Sequence, residues 1–264
     1  MVSQPFFLSV ERRVGMRQDA AMRVALLSDI HANFPALEAV EGDIDAQGVD
    51  AILSLGDVMG YGPFPNECAE WLRERDVRCL VGNHDLAILE WLDSSTYHPD
   101  AVSALAWQRG VLRAENRRWL ATLENKASME GFEAMHGVPP RPLDFEYLIG
   151  LDAGRRMCAR FSDLAMTTFI GHSHLTKCFA VGPDRLQELM ADRLRVGSEQ
   201  RLIVTVGSVG QPRDNNPKAA WVLFDTETRE VRFRRVAYPI KKTVQAIRAR
   251  RLPAFLAERI QHGI

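Results

Sequence analysis

The sequence predicts an α/β fold, with a largely parallel sheet in its first half joined to an antiparallel sheet in its last third. Three observations carry that reading. Apolar, β-prone runs at residues 23–28, 51–55 and 77–81 each end in a polar loop and lead into a helical stretch. The loops all carry Asp, Asn or His directly after the run. From about residue 177 onward the pattern changes to short alternating strands separated by turns.

The first run, RVALLS, is apolar on both faces, as a fully buried strand requires. Asp29-Ile30-His31 follows it, and Asn33 or Pro35 opens a helix with Leu37, Val40 and Ile44 on one face. The second run stops at Gly56-Asp57 and is followed by a helix over 65–75 carrying Cys68, Trp71 and Leu72. The third stops at Gly82-Asn83-His84-Asp85. Right-handed crossovers join such units. Helical periodicity then covers 99–112 and 114–123, and 127–129 with 132–136 reads as a hairpin. A helix is expected at 151–161, then a strand at 166–170 ended by Gly171-His172-Ser173-His174. Strands are expected at 177–181, 186–189, 201–206, 219–225 and 231–237, and basic amphipathic helices over 240–250 and 253–260.

The 264 residues are 46% hydrophobic and 25% charged, enough for one large core. We expect residues 1–21 to be an N-terminal extension that adds little to that core. Residues 22–264 then form one domain, with a helical insert around 90–125 and C-terminal helices at 240–261. The formal net charge of -1 argues against a protein that coats nucleic acid or membranes. No apolar run approaches the ~18 residues that span a bilayer. Cys68, Cys79, Cys158 and Cys178 form no CxxC pair and read as free thiols in a reducing compartment. With no signal-like apolar segment at the start, the expected location is the cytoplasm.

The placement of histidine is the unusual feature. Of the seven, His31, His84, His136, His172 and His174 lie at or beside predicted strand ends, near a glycine or a carboxylate. Loops at the carboxyl ends of strands are where open α/β sheets build their sites. Two-metal hydrolysis needs imidazole and carboxylate ligands, with one carboxylate shared by ions about 3.5–4 Å apart. An Asp-x-His pair just past a strand brings two ligands to one ion, and His-x-His offers one imidazole to each. Each fragment alone is weak, since Gly-Asp marks turns and Asn-His-Asp can cap a helix. The five together, in order, are hard to obtain from structural needs.

These blocks resemble the calcineurin-like metallophosphoesterase superfamily, whose pattern is DxH, GDxx, GNH(D/E), an isolated His before Gly, and GHxH. Here they read DIH at 29–31, GDVM at 56–59, GNHD at 82–85, MHG at 135–137 and GHSH at 171–174. The strings GDVMGYGPFPNEC and GSVGQPRDNNP look like a branch of small bacterial and archaeal phosphoesterases. The resemblance implies a four-layer α-β-β-α sandwich of the metallo-dependent phosphatase type. It implies two divalent ions (Mn, Fe, Zn or Ni), with Asp29, His31, Asp57 and His174 on one and Asn83, His136 and His172 on the other. Asp57 would bridge them, and a water between them would attack phosphorus. His84 would contact the phosphate and protonate the leaving group. In the phosphoprotein phosphatases of the superfamily the second block continues as GDxxDRG. Gly60 and Tyr61 replace that Asp and Arg here, which argues against a phosphoprotein substrate. Arg213 is then the candidate phosphate clamp, because a guanidinium meets two oxygens at once. The expected activity is hydrolysis of phosphodiesters or phosphomonoesters, on a small phosphate ester or nucleotide-like substrate. A nuclease is the alternative enzyme, and a metal-binding scaffold or interaction module the non-enzymatic alternative. Asp85 is placed to hold a ligand histidine or to cap a helix. Trp91, Tyr97, Trp107 and Trp119 either pack the 90–125 helices or help to choose the leaving group.

Overall fold

The computed structural model describes residues 21–129, 131–195, 197 and 200–264. The N-terminal extension, apart from Ala21, lies outside them. The first part of the chain runs β1 (Arg23–Leu27), α1 (Phe34–Gln47), β2 (Ala51–Ser54), α2 (Pro65–Glu74), β3 (Arg78–Cys79) and α3 (Asn83–Ile88). Helices α4 (Pro99–Val111) and α5 (Ala114–Leu120) follow, then the hairpin β4 (Lys126–Met129) and β5 (Phe132–Met135). Next come α6 (Leu151–Cys158), β6 (Thr167–Ile170), β7 (Thr176–Val181), β8 (Leu186–Leu189) and β9 (Arg193–Arg195). The chain continues through β10 (Arg201–Val206), β11 (Ala219–Asp225), β12 (Glu230–Val236), α7 (Ile240–Ala249) and α8 (Ala254–His262).

The strands form two six-stranded sheets, ordered β3-β2-β1-β11-β12-β9 and β4-β5-β6-β10-β7-β8. In the first, β3, β2 and β1 are parallel and the other three antiparallel. In the second, β5, β6 and β10 are parallel, with antiparallel strands on both sides. The late strands therefore do not make a sheet of their own, as the sequence pattern suggested. They complete both sheets, because β11 and β10 each carry buried residues on two faces and need a partner on each side.

Strand alternation builds the layers. Val24 and Leu26 of β1 pack between the sheets with Phe224, Phe132 and Phe169. The three phenylalanine rings meet at 5.1–5.7 Å, joining the sheets by edge contacts. Ala25 and Leu27 face the other way, onto Leu37, Val40 and Ile44 of α1 and Leu72 of α2. On the second sheet Ile170, Phe179 and Ile203 meet Met157 of α6. The result is two packed sheets flanked by helices. At one end α7 and α8 pack through Ile247, Leu256 and Ile260 against Ala104 of α4, with Trp107 alongside.

Two local differences from the sequence reading bear on the site. The third strand is short because, beyond the Leu80 amide that still donates to Ser54 of β2, the chain pairs with Glu124 instead, through a Leu80 bridge and the Val81 amide. The segment expected as a polar loop, Asn83 onward, is a helix. Asp85 caps it by accepting from the Gly82 amide at 3.0 Å. The Arg-rich edge strand β9 was not expected; it offers a single apolar residue, Leu194, between two exposed arginines, which hides it from any hydrophobic count.

Gly56 sits where the loops after β2 and β3 meet. Its φ is 108°, and a Cβ there would lie 2.6 Å from the Gly82 nitrogen. Gly56→Ala should lower unfolding stability by roughly 1–3 kcal/mol, the scale of a strained backbone position. Chemical denaturation measures this, and an unchanged midpoint would show that the two loops part freely.

Candidate metal centre

Every block lies at the common edge of the two sheets, on loops leaving parallel strands. The loop after β1 carries Asp29 and His31, and its amides bond to the loop after β2: Asp29 N to Gly56 O at 3.0 Å and His31 N to Asp57 O at 2.9 Å. The loop after β10 ties the second sheet to the same place. Its Val209 and Gly210 amides donate to Ser28 and Asp29 carbonyls, and Ser208 Oγ donates to Asp29 O at 2.7 Å. Asp29, His31, Asp57, His172 and His174 all have φ between 47° and 67°. Non-glycine residues held in that region mark sites where surrounding contacts overrule local preference.

Two triads result: Asp29, His31 and His174, and Asp57, His136 and His172. All six side chains are buried. Asp29 Oδ1 lies 3.2 Å from His174 Nε2 and 3.8 Å from His31 Nε2. Asp57 Oδ2 lies between the triads, 3.3 Å from His136 Nε2 and 3.8 Å from His31 Nε2.

The outer ring nitrogens decide what these triads can hold. His31 Nδ1 is 2.7 Å from Met59 O, His136 Nδ1 is 3.0 Å from Leu55 O, and His174 Nδ1 is 2.6 Å from Gln211 O. A carbonyl only accepts, so each Nδ1 carries the proton, and in the neutral ring Nε2 keeps its lone pair. His31 Nε2 and His174 Nε2 then face each other 3.0 Å apart. His136 Nε2 faces a carboxylate without forming a hydrogen bond, and His172 Nε2 and Asp29 Oδ1 are likewise buried without partners. Electron pairs converging in this way repel unless a cation lies among them. The donor set therefore fits two metal ions, with ligand histidines oriented by main-chain carbonyls. Burial works against charging any of these groups. Contact with His174 first at Asp29, and with His136 first at Asp57, more than offsets it, so both carboxylates stay ionised. Against burial, Asp57 in turn raises His136 to about 9, so without an ion a proton on His136 takes the place a cation would fill. Burial also pushes His172 down to about 3 and His31 well below the usual imidazole range, which keeps their lone pairs available.

The remaining expected residues border the triads. Asn83 Nδ2 donates to Tyr97 Oη at 2.9 Å, leaving Oδ1 buried and without a partner. The His84 amide donates to Asp57 Oδ1 at 2.8 Å, while its ring Nδ1 has no partner. Asp85 touches no ligand histidine. It accepts from the Gly82 and Met59 amides, which resolves its role in favour of the cap and of joining two site loops. Arg213 donates to Tyr61 Oη at 3.2 Å and to Gln211 Oε1 at 3.0 Å.

Several neighbours escaped the sequence reading. Tyr61 lies 4.7 Å from both the His31 and His84 rings, and Tyr147 stacks on His172 at 4.1 Å. Gln211 and Ser208 hold His174 and Asp29 through the loop. The strings containing Tyr61 and Gln211 were recognisable, but nothing in their spacing assigned a role. Of the four aromatics between 90 and 125, Tyr97 reaches the site, with its ring 5.3 Å from His84. Trp107 and Trp119 pack against helices instead.

Two mixed sheets with paired Asp/His triads at their shared edge define the fold of the metallo-dependent phosphatases. Residues 22–196 match the model of the family described as calcineurin-like phosphoesterase. The chain belongs to that family, and its two metal-binding triads make it a metal-dependent phosphoric ester hydrolase. It is 33% identical over 244 residues to the uncharacterized protein MJ0912 of Methanocaldococcus jannaschii, covering 91% of this chain and 98% of that one. A crystal structure of a metallophosphoesterase from Sphaerobacter thermophilus is 34% identical, with a TM-score of 0.78 over 93% of this chain and 100% of that one. A hypothetical protein from Pyrococcus horikoshii shares the fold at 22% identity, with a TM-score of 0.76 over 92% and 98% of the two chains.

Tyr97 orients Asn83 and so fixes where its Oδ1 points. If Asn83 Oδ1 completes one of the triads, Tyr97→Phe should weaken binding of that ion roughly 10-fold or more, as removal of a hydrogen bond behind a ligand does. Metal titration followed by elemental analysis checks this; two ions held with undiminished affinity would show that Asn83 needs no such support.

Proposed function

We propose that the protein hydrolyses small or nucleotide-like phosphate esters, monoesters or diesters, at a dinuclear metal centre. The observation that carries this is the position of Asp57 Oδ2 between two triads whose lone pairs converge. In this reading Asp29, His31, Asp57 and His174 hold one ion, and Asn83, His136 and His172 hold the other with Asp57 shared. Manganese, iron, zinc and nickel all suit these N and O donors. The ions supply an activated water at neutral pH and neutralise charge building on the phosphoryl oxygens.

The chain's own contribution lies in His84, Tyr61 and Arg213. His84 is anchored through its main-chain amide, so its ring is free to face the ester rather than a metal. Burial lowers its pKa to about 4, against the pull of the Asp57 charge. An anionic ester beside the ring favours the protonated form, which makes His84 a donor to the leaving oxygen once substrate is present. Gly60 allows the ring to lie where it does, since a Cβ there would overlap His84 Nδ1. That explains why the carboxylate of the phosphoprotein phosphatases has no counterpart here. Arg213 approaches the Tyr61 corner from the loop after β10 and stands as the phosphate clamp.

A net charge of -1 and the lack of basic-aromatic interleaving favour a small ester over nucleic acid. Among the described residues no helix is long and apolar enough to cross a membrane. The four cysteines are free, three of them buried, which supports a reducing cytoplasmic location.

A panel of p-nitrophenyl and nucleotide esters, assayed with Mn²⁺ on protein of measured metal content, tests the proposal. Metal-dependent turnover is expected. Two bound ions without turnover of any ester would overturn it, and fewer than about one ion per chain after loading would favour a scaffold. Asp57→Asn should lower occupancy and activity together; both sites remaining filled would remove the bridge. His84→Asn should keep both metals while slowing esters with poor leaving groups by about 10²–10⁴-fold. Activated aryl esters should lose much less. Equal losses on both classes would leave His84 a positioning role only.

A further inference from the structure

Beside the metal centre lies a second concentration of positive charge. Arg213, on the loop after β10, and Arg259, on α8, both address Tyr61: their guanidinium carbons lie 5.7 and 5.8 Å from its ring centroid. Tyr61 in turn touches the His31 and His84 rings. Arg259 also lies 5.4 Å from the Phe255 ring.

Arg213 has no anionic partner among the described residues, and at Arg259 the nearby Asp100 carboxylate does not offset burial and the Arg213 charge. Arg213 bonds only to the neutral groups of Tyr61 and Gln211, and its Nε is buried without a partner. The neighbouring carboxylate, Asp214, is already engaged by Arg235 and Thr176. Arg259 Nε donates to Ile264 O at 2.7 Å. Among the described residues neither arginine forms an ion pair, although most arginines that join polar networks here do. Burial, and next the charge of Arg213, push Arg259 down to about 10, so the two cations feel each other. The pair is also held in place. The Asn215 amide donates to Gly263 O at 2.8 Å, which fastens the end of α8 to the loop that carries Arg213. Two half-buried guanidiniums gathered at one tyrosine ring, with only Asp100 near one of them, are destabilising by themselves. An anion between them removes that repulsion through charge-assisted, bidentate bonds.

We propose that Arg213 and Arg259 form a subsite for a second phosphoryl group of the substrate, beyond the one that is hydrolysed. The inference rests on the phosphoesterase reading of the metal centre. Arg213 touches the phosphate at the triads, and Arg259 extends the positive strip along Tyr61 to the next one. The substrate class is then an ester or anhydride with at least two phosphoryl groups, as in a nucleoside diphosphate, rather than a simple monoester.

Calorimetric titration of the metal-loaded full chain with imidodiphosphate and with orthophosphate tests this. The wild type should bind imidodiphosphate more tightly. Arg259→Gln should reduce the ratio of the two affinities about tenfold, the scale of one charge-assisted contact. Arg259→Lys keeps the alkyl stem over Tyr61 and Phe255 and should reduce the ratio about threefold, so it serves if the glutamine variant does not fold. An unchanged ratio in whichever variant has a wild-type melting temperature overturns the subsite, as does a wild type that binds both anions equally. Orthophosphate binding and turnover of p-nitrophenyl phosphate by the wild type report on the metal centre separately. Their loss would overturn the phosphoesterase reading itself, and with it the subsite; their presence with an unchanged ratio overturns the subsite alone.

Discussion

The structure depends on two ionised carboxylates, Asp29 and Asp57, buried where two sheets meet and surrounded by imidazoles. Moving a carboxylate from water into a protein interior costs several kcal/mol unless it is compensated. Main-chain amides provide part of that compensation: His172 N reaches Asp29 Oδ2 at 3.1 Å and His84 N reaches Asp57 Oδ1 at 2.8 Å. The other oxygen of each faces histidine nitrogens. Because Met59, Leu55 and Gln211 carbonyls accept from the Nδ1 atoms, the inward Nε2 atoms of the neutral rings offer lone pairs, and at His136 only a proton or a cation relieves the facing carboxylate. The arrangement is complete only with cations, so fold and chemistry make the same demand.

That demand shapes the loops. Five residues of the two triads adopt left-handed backbone conformations that carry a local penalty for side chains other than glycine. They are held by the cross-bonds between the β1 and β2 loops and by the β10 loop reaching across from the other sheet. The packed phenylalanines between the sheets keep the two edges in register, so the ligands from each sheet meet. The rigid parts are thus parallel strands, and the strained parts are the short loops that leave them.

Around this centre the supporting cast comes from different segments on different sides. Tyr97 and Tyr147 stand by Asn83 and His172. Tyr61, Arg213 and Arg259 stand by His31 and His84. The donor triads and the side chains around them are therefore separable in the chain. The triads lie on strand-end loops, while their neighbours include Tyr97 from the segment between α3 and α4 and, at Tyr61, Arg259 from α8.

Much of the centre was legible in the chain. DIH, GDVM, GNHD, MHG and GHSH each follow a run apolar enough to be a buried strand, and polar ligand types directly after such runs have few structural uses. The first helices were legible too, because Leu37, Val40 and Ile44 keep helical spacing. What the order of residues could not convey was partnership. The late strands look alike in sequence, and only the two-faced burial of β10 and β11 sends one to each sheet. Asp85 could equally have held a histidine, and the Gly82 and Met59 amides decided otherwise. Arg259 sits in a basic helix that reads as a solvated face, and it gains meaning only because α8 folds back against the Arg213 loop. The sequence by itself determined the donor residues of the two triads, since metal binding requires particular donor atoms at strand ends. The tertiary structure alone decided their tautomers, their strain and their charged neighbours, because these arise from contacts between segments far apart in the chain.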